Sequence, residues 1–439
     1  MSLFRRLFGV PASDRPLVGP LFVHSFLTAA GYVLARTTGD SLLLSQSGPA
    51  ALPQTLILSA IAVAAVTAMS VFPGRERSMI STALGTRLLL CAATALLAVL
   101  DQSSGWRHVA VSGLYVLAEI RGCVTTIQLT SLLAEHFHGR RARHSYGVVA
   151  SGAPLAGVVM GTVMGLEAEA IGGLNWLFLA CVLDLLSILP LLVLQSRTKS
   201  NVDQNRPVLP WNAARTDVSV QVRLPASPSA RTSEIAEDRQ KALLVPLSVL
   251  FVVKVLVLTF VAYQWKAGVS DYFGGDEESL TAYFAEFQAV TNLIILGLQL
   301  FLAGRILNRL GTVSILLFFP ALMLAVGILL ATIRTSSAAI VVLTMARGAD
   351  VFRRALHDTA LTVVYSALNV VDQRRFISLM SGVAKPAAEA AAGAILALSM
   401  AGQSSVTVTW IWLPLLPIWF VAAGMLGRGF RRLRREQAA

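Results

Sequence analysis

Stretches of mostly apolar residues alternate along the chain with short polar joints, and most are long enough for a helix to cross a bilayer, which takes about 20 residues. Twelve spans are predicted: Leu17–Ser45, Ala50–Phe72, Met79–Leu100, His108–His136, Ser145–Leu166, Leu174–Leu194, Ala242–Lys266, Leu280–Leu307, Val313–Ile333, Ser337–Tyr365, Arg375–Ala401 and Val406–Leu426. The longest polar stretch, Ser196–Lys241, contains Pro207, Pro210, Pro225 and Pro228 among many Ser, Asn and Arg residues. It reads as a flexible linker. The expected organisation is a six-helix bundle over 1–195, a linker over 196–241, a second six-helix bundle over 242–427 and a basic tail over 428–439. The fold class is therefore an all-α polytopic membrane protein with twelve transmembrane helices.

Composition strengthens this reading. Of 439 residues, 55% are hydrophobic and 14% are charged, against about a quarter charged in soluble domains. Mean hydropathy is +0.68. The net charge is +12, yet Lys and Arg gather between apolar spans rather than on one face, so no nucleic-acid partner is expected. The joints carry Arg5, Arg6 and Arg15, then Arg75 and Arg77, Arg140, Arg141 and Arg143, Arg305 and Arg309, Arg374 and Arg375, and finally Arg428, Arg431, Arg432, Arg434 and Arg435. With twelve spans all of these fall on one side, which the positive-inside rule makes cytoplasmic. The opposite joints are neutral or acidic, with Glu167, Glu169, Asp271, Asp276, Glu277 and Glu278. Both termini are expected in the cytoplasm of a bacterium, the spans in its inner membrane, and the Arg-rich tail against anionic lipid. The N-terminus shows no cleavable signal pattern.

Chemistry-bearing motifs are sparse. Cys91, Cys123 and Cys181 lie inside apolar spans without metal-ligand spacing. His136, His138 and His144 are mixed with arginines in a basic joint. No phosphate loop, nucleophile motif or metal cluster is visible, so neither an enzyme nor a cofactor is expected. The charges inside the spans are the informative feature, because each costs at least about 2.5–3.5 kcal/mol at the bilayer centre. Arg36 and Asp40 lie four apart in the first span. Glu119 and Arg121 are in the fourth, and Lys254 and Lys266 in the seventh. The tenth carries Arg347, Asp350, Arg353, Arg354, His357 and Asp358. Lys385 and Glu389, four apart in the eleventh, form either a self-satisfied pair or a cavity rim. Arg87 and Asp184 read as structural, and Arg353, Arg354 and Asp358 lean the same way, towards a membrane edge.

The six-plus-six layout resembles the major facilitator superfamily, in which each half is built of three-helix repeats and the substrate site lies between the halves. Spans one, four, seven and ten are the first helices of those repeats and are expected to line the cavity. Gly157, Gly161 and Gly165 recur every four residues in the fifth span, a spacing that lets another helix come close. The segment Gly304 to Gly311, with Arg305 and Arg309, resembles the facilitator loop motif.

Several segments further resemble the ATP/ADP translocase family of nucleotide transporters. They are Gly31-Tyr32 through Arg36-Thr37-Thr38-Gly39-Asp40-Ser41-Leu42, Tyr115 through Gly122, Tyr263-Gln264-Trp265-Lys266, and Phe284 through Gln299 followed by Arg305, Gly311 and Pro320. The resemblance covers nearly the whole chain except the linker. It implies nucleotide exchange dependent on a few intramembrane charges. Of four such charges only Glu119 is kept: Gly39, Ala262 and the Ile377/Ser381 region stand where the family has charged residues. The resemblance therefore implies a divergent member with another substrate or coupling ion.

The expected function is secondary transport by alternating access of a small anionic solute, nucleotide-like or another organic anion. Arg36, Asp40, Glu119, Arg121, Lys254, Lys266, Arg347, Asp350, Lys385 and Glu389 are the expected substrate-binding or coupling residues. Glu119 is expected to act as a counter-charge or as a protonation site for coupling protons. The alternatives are a non-transporting membrane scaffold or sensor, and an exporter of lipid or lipophilic anions.

Overall fold

A computed structural model describes residues 15–71, 79–103, 105–136, 147–202, 230–299, 303–333, 336–365, 368, 370–399 and 405–438. Every regular element is helical, as lipid requires of a segment that must satisfy its own backbone polar groups. The first six helices are α1 (Arg15–Ser47), α2 (Leu52–Val71), α3 (Met79–Asp101), α4 (Arg107–His136), α5 (Gly152–Leu166) and α6 (Gly173–Ser196). The last six begin with α7 (Ala230–Tyr272), α8 (Glu277–Gly297) and α9 (Ala303–Thr332). α10 runs over Ser336–Tyr365 with a π-helical turn at Arg353–His357, and α11 over Val370–Ser399 with another at Met380–Ala384. α12 is Leu416–Ala438, led in by short helical turns from Ser405.

Ten of these helices are long and apolar enough to cross a membrane. The other two, α10 and α11, are the ones interrupted by π turns, and α10 also carries more intramembrane charge than any other helix. The outward faces are apolar: Leu89 is 70% exposed and Leu398 87%. Patches of that kind are scarce on soluble proteins, and here they face lipid. The chain is a multi-pass membrane protein.

The described part of the predicted linker is helical at both ends. Helix continues beyond α6 to Val202, and α7 starts at Ala230 rather than near Ala242. Residues 203–229 lie outside the described residues, as do Arg5, Arg6, Arg75, Arg77, Arg140, Arg141 and Arg143. Gly311 interrupts α9 with φ 75° and ψ 158°, a conformation open essentially to glycine alone. The second glycine of the loop motif is thus a backbone requirement.

Each set of six packs around its own first helix, α1 against α4, α5 and α6, and α7 against α10, α11 and α12. The two sets meet chiefly along α5–α8 and α2–α11. Advancing each helix number by six exchanges these two pairs, so the junction has an approximate two-fold relation. The Gly157–Gly165 stripe forms the α5 side of the first pair. A Cβ on Gly161 would stand 2.6 Å from the Ala285 carbonyl oxygen, and one on Gly157 would stand 2.4 Å from the Asn292 side chain.

Candidate functional site

Two groups of charged side chains stand out: the first joins the two sets of helices, and the second belongs to the second set, with Arg347 and Arg354 within electrostatic range of Arg36 and Tyr32 of α1. The first is centred on α1. Arg36 and Asp40, one turn apart, are joined with Nε–Oδ2 at 3.2 Å. Arg36 also pairs with Glu119 of α4. Lys266 of α7 reaches across to Asp40 at 2.8 Å and donates to the Tyr115 hydroxyl at 3.3 Å. The Tyr115 ring is a shared platform: the Arg36 guanidinium is 4.8 Å and the Lys266 ammonium 4.9 Å from its centroid. Two cations and two carboxylates balance here. Asp40 and Lys266 lie within about two turns of the ends of α1 and α7 away from the chain termini. Thr281 of α8 donates to Ser41 at 2.7 Å at the same level.

The second group lies on α7 and α10. Asp350 accepts from Arg354 at 2.8 Å, pairs with Arg353, and lies 3.5 Å from Arg347. Asp358 pairs with Lys254 at 3.1 Å and with Arg353. The π turn at Arg353–His357 inserts an extra residue within this set, and such turns are frequent at functional sites. The Arg347 guanidinium also stands 5.8 Å from the Trp265 ring centroid. Four cations meet two carboxylates here, so the group is positive. It is also open: Arg354 is 43% exposed and Asp358 35%. Lys385 and Glu389 of α11 are 3.6 Å apart, and Lys385 lies within electrostatic range of Glu119 and Tyr32.

Arg121 joins neither group. It lies at 1% exposure against Asp184 of α6, 2.7 Å away, and Asp184 also holds Arg87 of α3 at 3.0 Å. Thr94, Thr125 and Gln128 supply further hydrogen bonds to the two guanidiniums. This triad knits α3, α4 and α6 within the first six helices. It corrects the expectation that Arg121 lines the cavity beside Glu119.

Sequence reasoning passed over Tyr115 and Trp265 as cation platforms and set Arg353, Arg354 and Asp358 towards a membrane edge. The structure places all three charged residues with Asp350 and Lys254. The spacing 347, 350, 354, 358 was the available signal, since residues three and four apart share a helix face. Gly39, where the nucleotide-transporter resemblance has a lysine, abuts the α4 backbone at Leu114 and Tyr115. Among the described residues no group of His, Cys, Asp and Glu is placed to hold a metal.

No family model matches the chain, and no curated protein matches it. Solved structures do. A peptide transporter in complex with alafosfalin superposes with a TM-score of 0.64 at 14% identity, over 94% of this chain and 95% of the other. A D-xylose–proton symporter gives 0.62 at 12%, over 94% and 96%. A nucleoside transporter gives 0.59 at 13%, over 94% and 100%. The chain therefore has the fold of the major facilitator-type transporters.

Proposed function

We propose that this protein is a secondary transporter of the bacterial inner membrane, with both termini cytoplasmic, that moves a small organic anion by alternating access between the halves 1–195 and 242–427. The observation that carries this reading is the imbalance on α7 and α10. Lys254, Arg347, Arg353 and Arg354 surround only Asp350 and Asp358, four positive charges against two negative. Excess charge held in a membrane protein is costly unless a partner shares it, and an anion supplies that partner.

In this scheme Arg347, Arg354 and Lys385 take the solute, and Glu119 holds Arg36 in place as its counter-charge. Asp40–Lys266 and Ser41–Thr281 latch the face opposite the termini, which in this orientation is the outer face. The solved structures of like fold, named for peptides, nucleosides and D-xylose with protons, agree with a transport role. The test is a melting-temperature screen of the purified full chain against nucleotides, organic phosphates, carboxylates and lysolipids. A hit is then followed by exchange in liposomes. Stabilisation by an anion that disappears in Arg354→Ala is the expected outcome. Stabilisation only by neutral or cationic solutes would overturn the reading.

A further inference from the structure

His357 is the one polar side chain in the second charged group that the anion reading does not use. It sits at 1% exposure in the π turn of α10. Neither ring nitrogen has a hydrogen-bond partner. A buried polar group in that state is uncommon and calls for an explanation. Its nearest charged neighbour is Asp358, with Nδ1 and Oδ1 3.6 Å apart, just beyond hydrogen-bond length. Phe319 of α9 and Trp419 of α12 close over the ring at 5.8 and 5.9 Å between centroids. The charged groups facing it are Lys254 from α7, and Arg353 and Asp358 from α10. From α9 and α12 it meets aromatic rings.

We propose that His357 and Asp358 together form a proton-binding site whose occupancy is linked to that of the transported anion. The inference rests on the anion reading above and assigns its coupling ion. Protonation forms an N–H bond on the ring nitrogen that lacked one. Both nitrogens then donate, so the imidazolium can close the gap to Asp358 and stand between two aromatic rings that tolerate a cation. Asp358 is 35% exposed whereas the ring is sealed, so the proton reaches Nδ1 by way of the carboxylate. Asp358 also pairs with Lys254 and Arg353, but it is the carboxylate beside the ring and the more exposed of the two in this group, at 35% against 7% for Asp350.

Charge counting supplies the linkage. An added proton raises the local total from four cations against two carboxylates to five against two. An anion in the cavity offsets that increase. Proton and anion therefore each raise the other's affinity by the same factor.

The test uses the full chain in nanodiscs with isotope-labelled histidine, titrated by NMR between about pH 5 and 8, the range of an ordinary histidine. Sodium sulfate is the probe, compared with sodium chloride at equal ionic strength, because sulfate stays a dianion throughout. His357→Asn identifies the resonance, and His357→Gln serves if that variant does not fold. The expected result is a midpoint within the range that rises by about half a unit in sulfate, roughly threefold in proton affinity, and falls in Asp358→Asn. A His357 that does not titrate in either salt overturns the proton site, whatever sulfate does to stability. If sulfate raises the melting temperature but leaves the midpoint unmoved, the linkage is overturned and the anion cavity stands. If His357 titrates while sulfate changes neither quantity, the linkage is overturned, and the anion reading falls as well if the organic anions of the melting screen also fail to stabilise the chain.

Discussion

Two carboxylates in this molecule each gather arginines, and they differ in surroundings. Asp184 and its partners Arg87 and Arg121 are sealed at 0–1% side-chain exposure between α3, α4 and α6. Asp350 is held by Arg347, Arg353 and Arg354, and these arginines range from 18% to 43% exposed. The sealed group is closed to solvent: hydroxyls and an amide add hydrogen bonds to its two guanidiniums, although the Arg87 Nε has no partner. The open group carries a larger excess, four cations against two carboxylates rather than two against one, and its arginines stay accessible within electrostatic range of Arg36 and Tyr32 of α1. Charge inside a membrane therefore marks a site where it stays accessible, whereas excess charge alone does not.

The comparison is broken most forcefully at Asp184. Asp184→Asn strands two sealed guanidiniums and is expected to cost about 3–5 kcal/mol, read as loss of monodisperse protein or a collapse in melting temperature. An unaffected melt would show that water reaches the triad. Next, Arg354→Ala is expected to weaken anion binding at least tenfold, about 1.4 kcal/mol, with little change in melting temperature because its side chain is partly exposed. Equal loss of stability and binding would make the open group another scaffold. Glu119→Gln should lower liposome transport of the identified anion severalfold while the protein still folds and inserts, and undiminished transport would remove Glu119 from the site. Replacing Arg87, Arg121 and Asp184 together by Met, Met and Leu should leave stability nearly neutral and transport intact, since the triad only packs helices. Abolished transport in a well-folded triple variant would give the triad a direct role.

The smallest effect is expected at Asp276, whose side chain caps α8 by accepting from the Ser279 backbone N–H at 2.9 Å. These hydrogen bonds hold its pKa below the ordinary value. A carboxylate lowered in the folded state contributes in full above its unfolded pKa of about 3.9. The contribution is lost as pH falls through the lower folded value. Asp276→Ala should therefore lower the melting temperature slightly at neutral pH and by less as the pH falls below 4. A constant difference down to pH 2 would show that the carboxylate's charge is not what caps the helix.

Part of the site was legible from helix geometry alone. Residues two apart on a helix point about 200° away from each other, so Glu119 and Arg121 could not face one cavity, and the structure turns Arg121 to Asp184. Residues four apart share a face, which put Arg36 with Asp40 and Lys385 with Glu389. The glycine stripe of α5 announced a close neighbour without naming it, and the neighbour is α8 from the other set. Lys266 with Asp40 could not be paired from sequence, since 226 positions separate them and no local rule spans that distance.

The sequence by itself determined that the chain crosses a membrane as helices, and which spans carry charge. The reason is that lipid offers no hydrogen bonds, so an apolar stretch of the right length has one available conformation. Only the tertiary structure decided which of those charges are sealed and which are open. That depends on the partners brought by other helices: Asp184 from α6 to Arg87 and Arg121, Lys266 from α7 to Asp40, and the rings of Phe319 and Trp419 around His357.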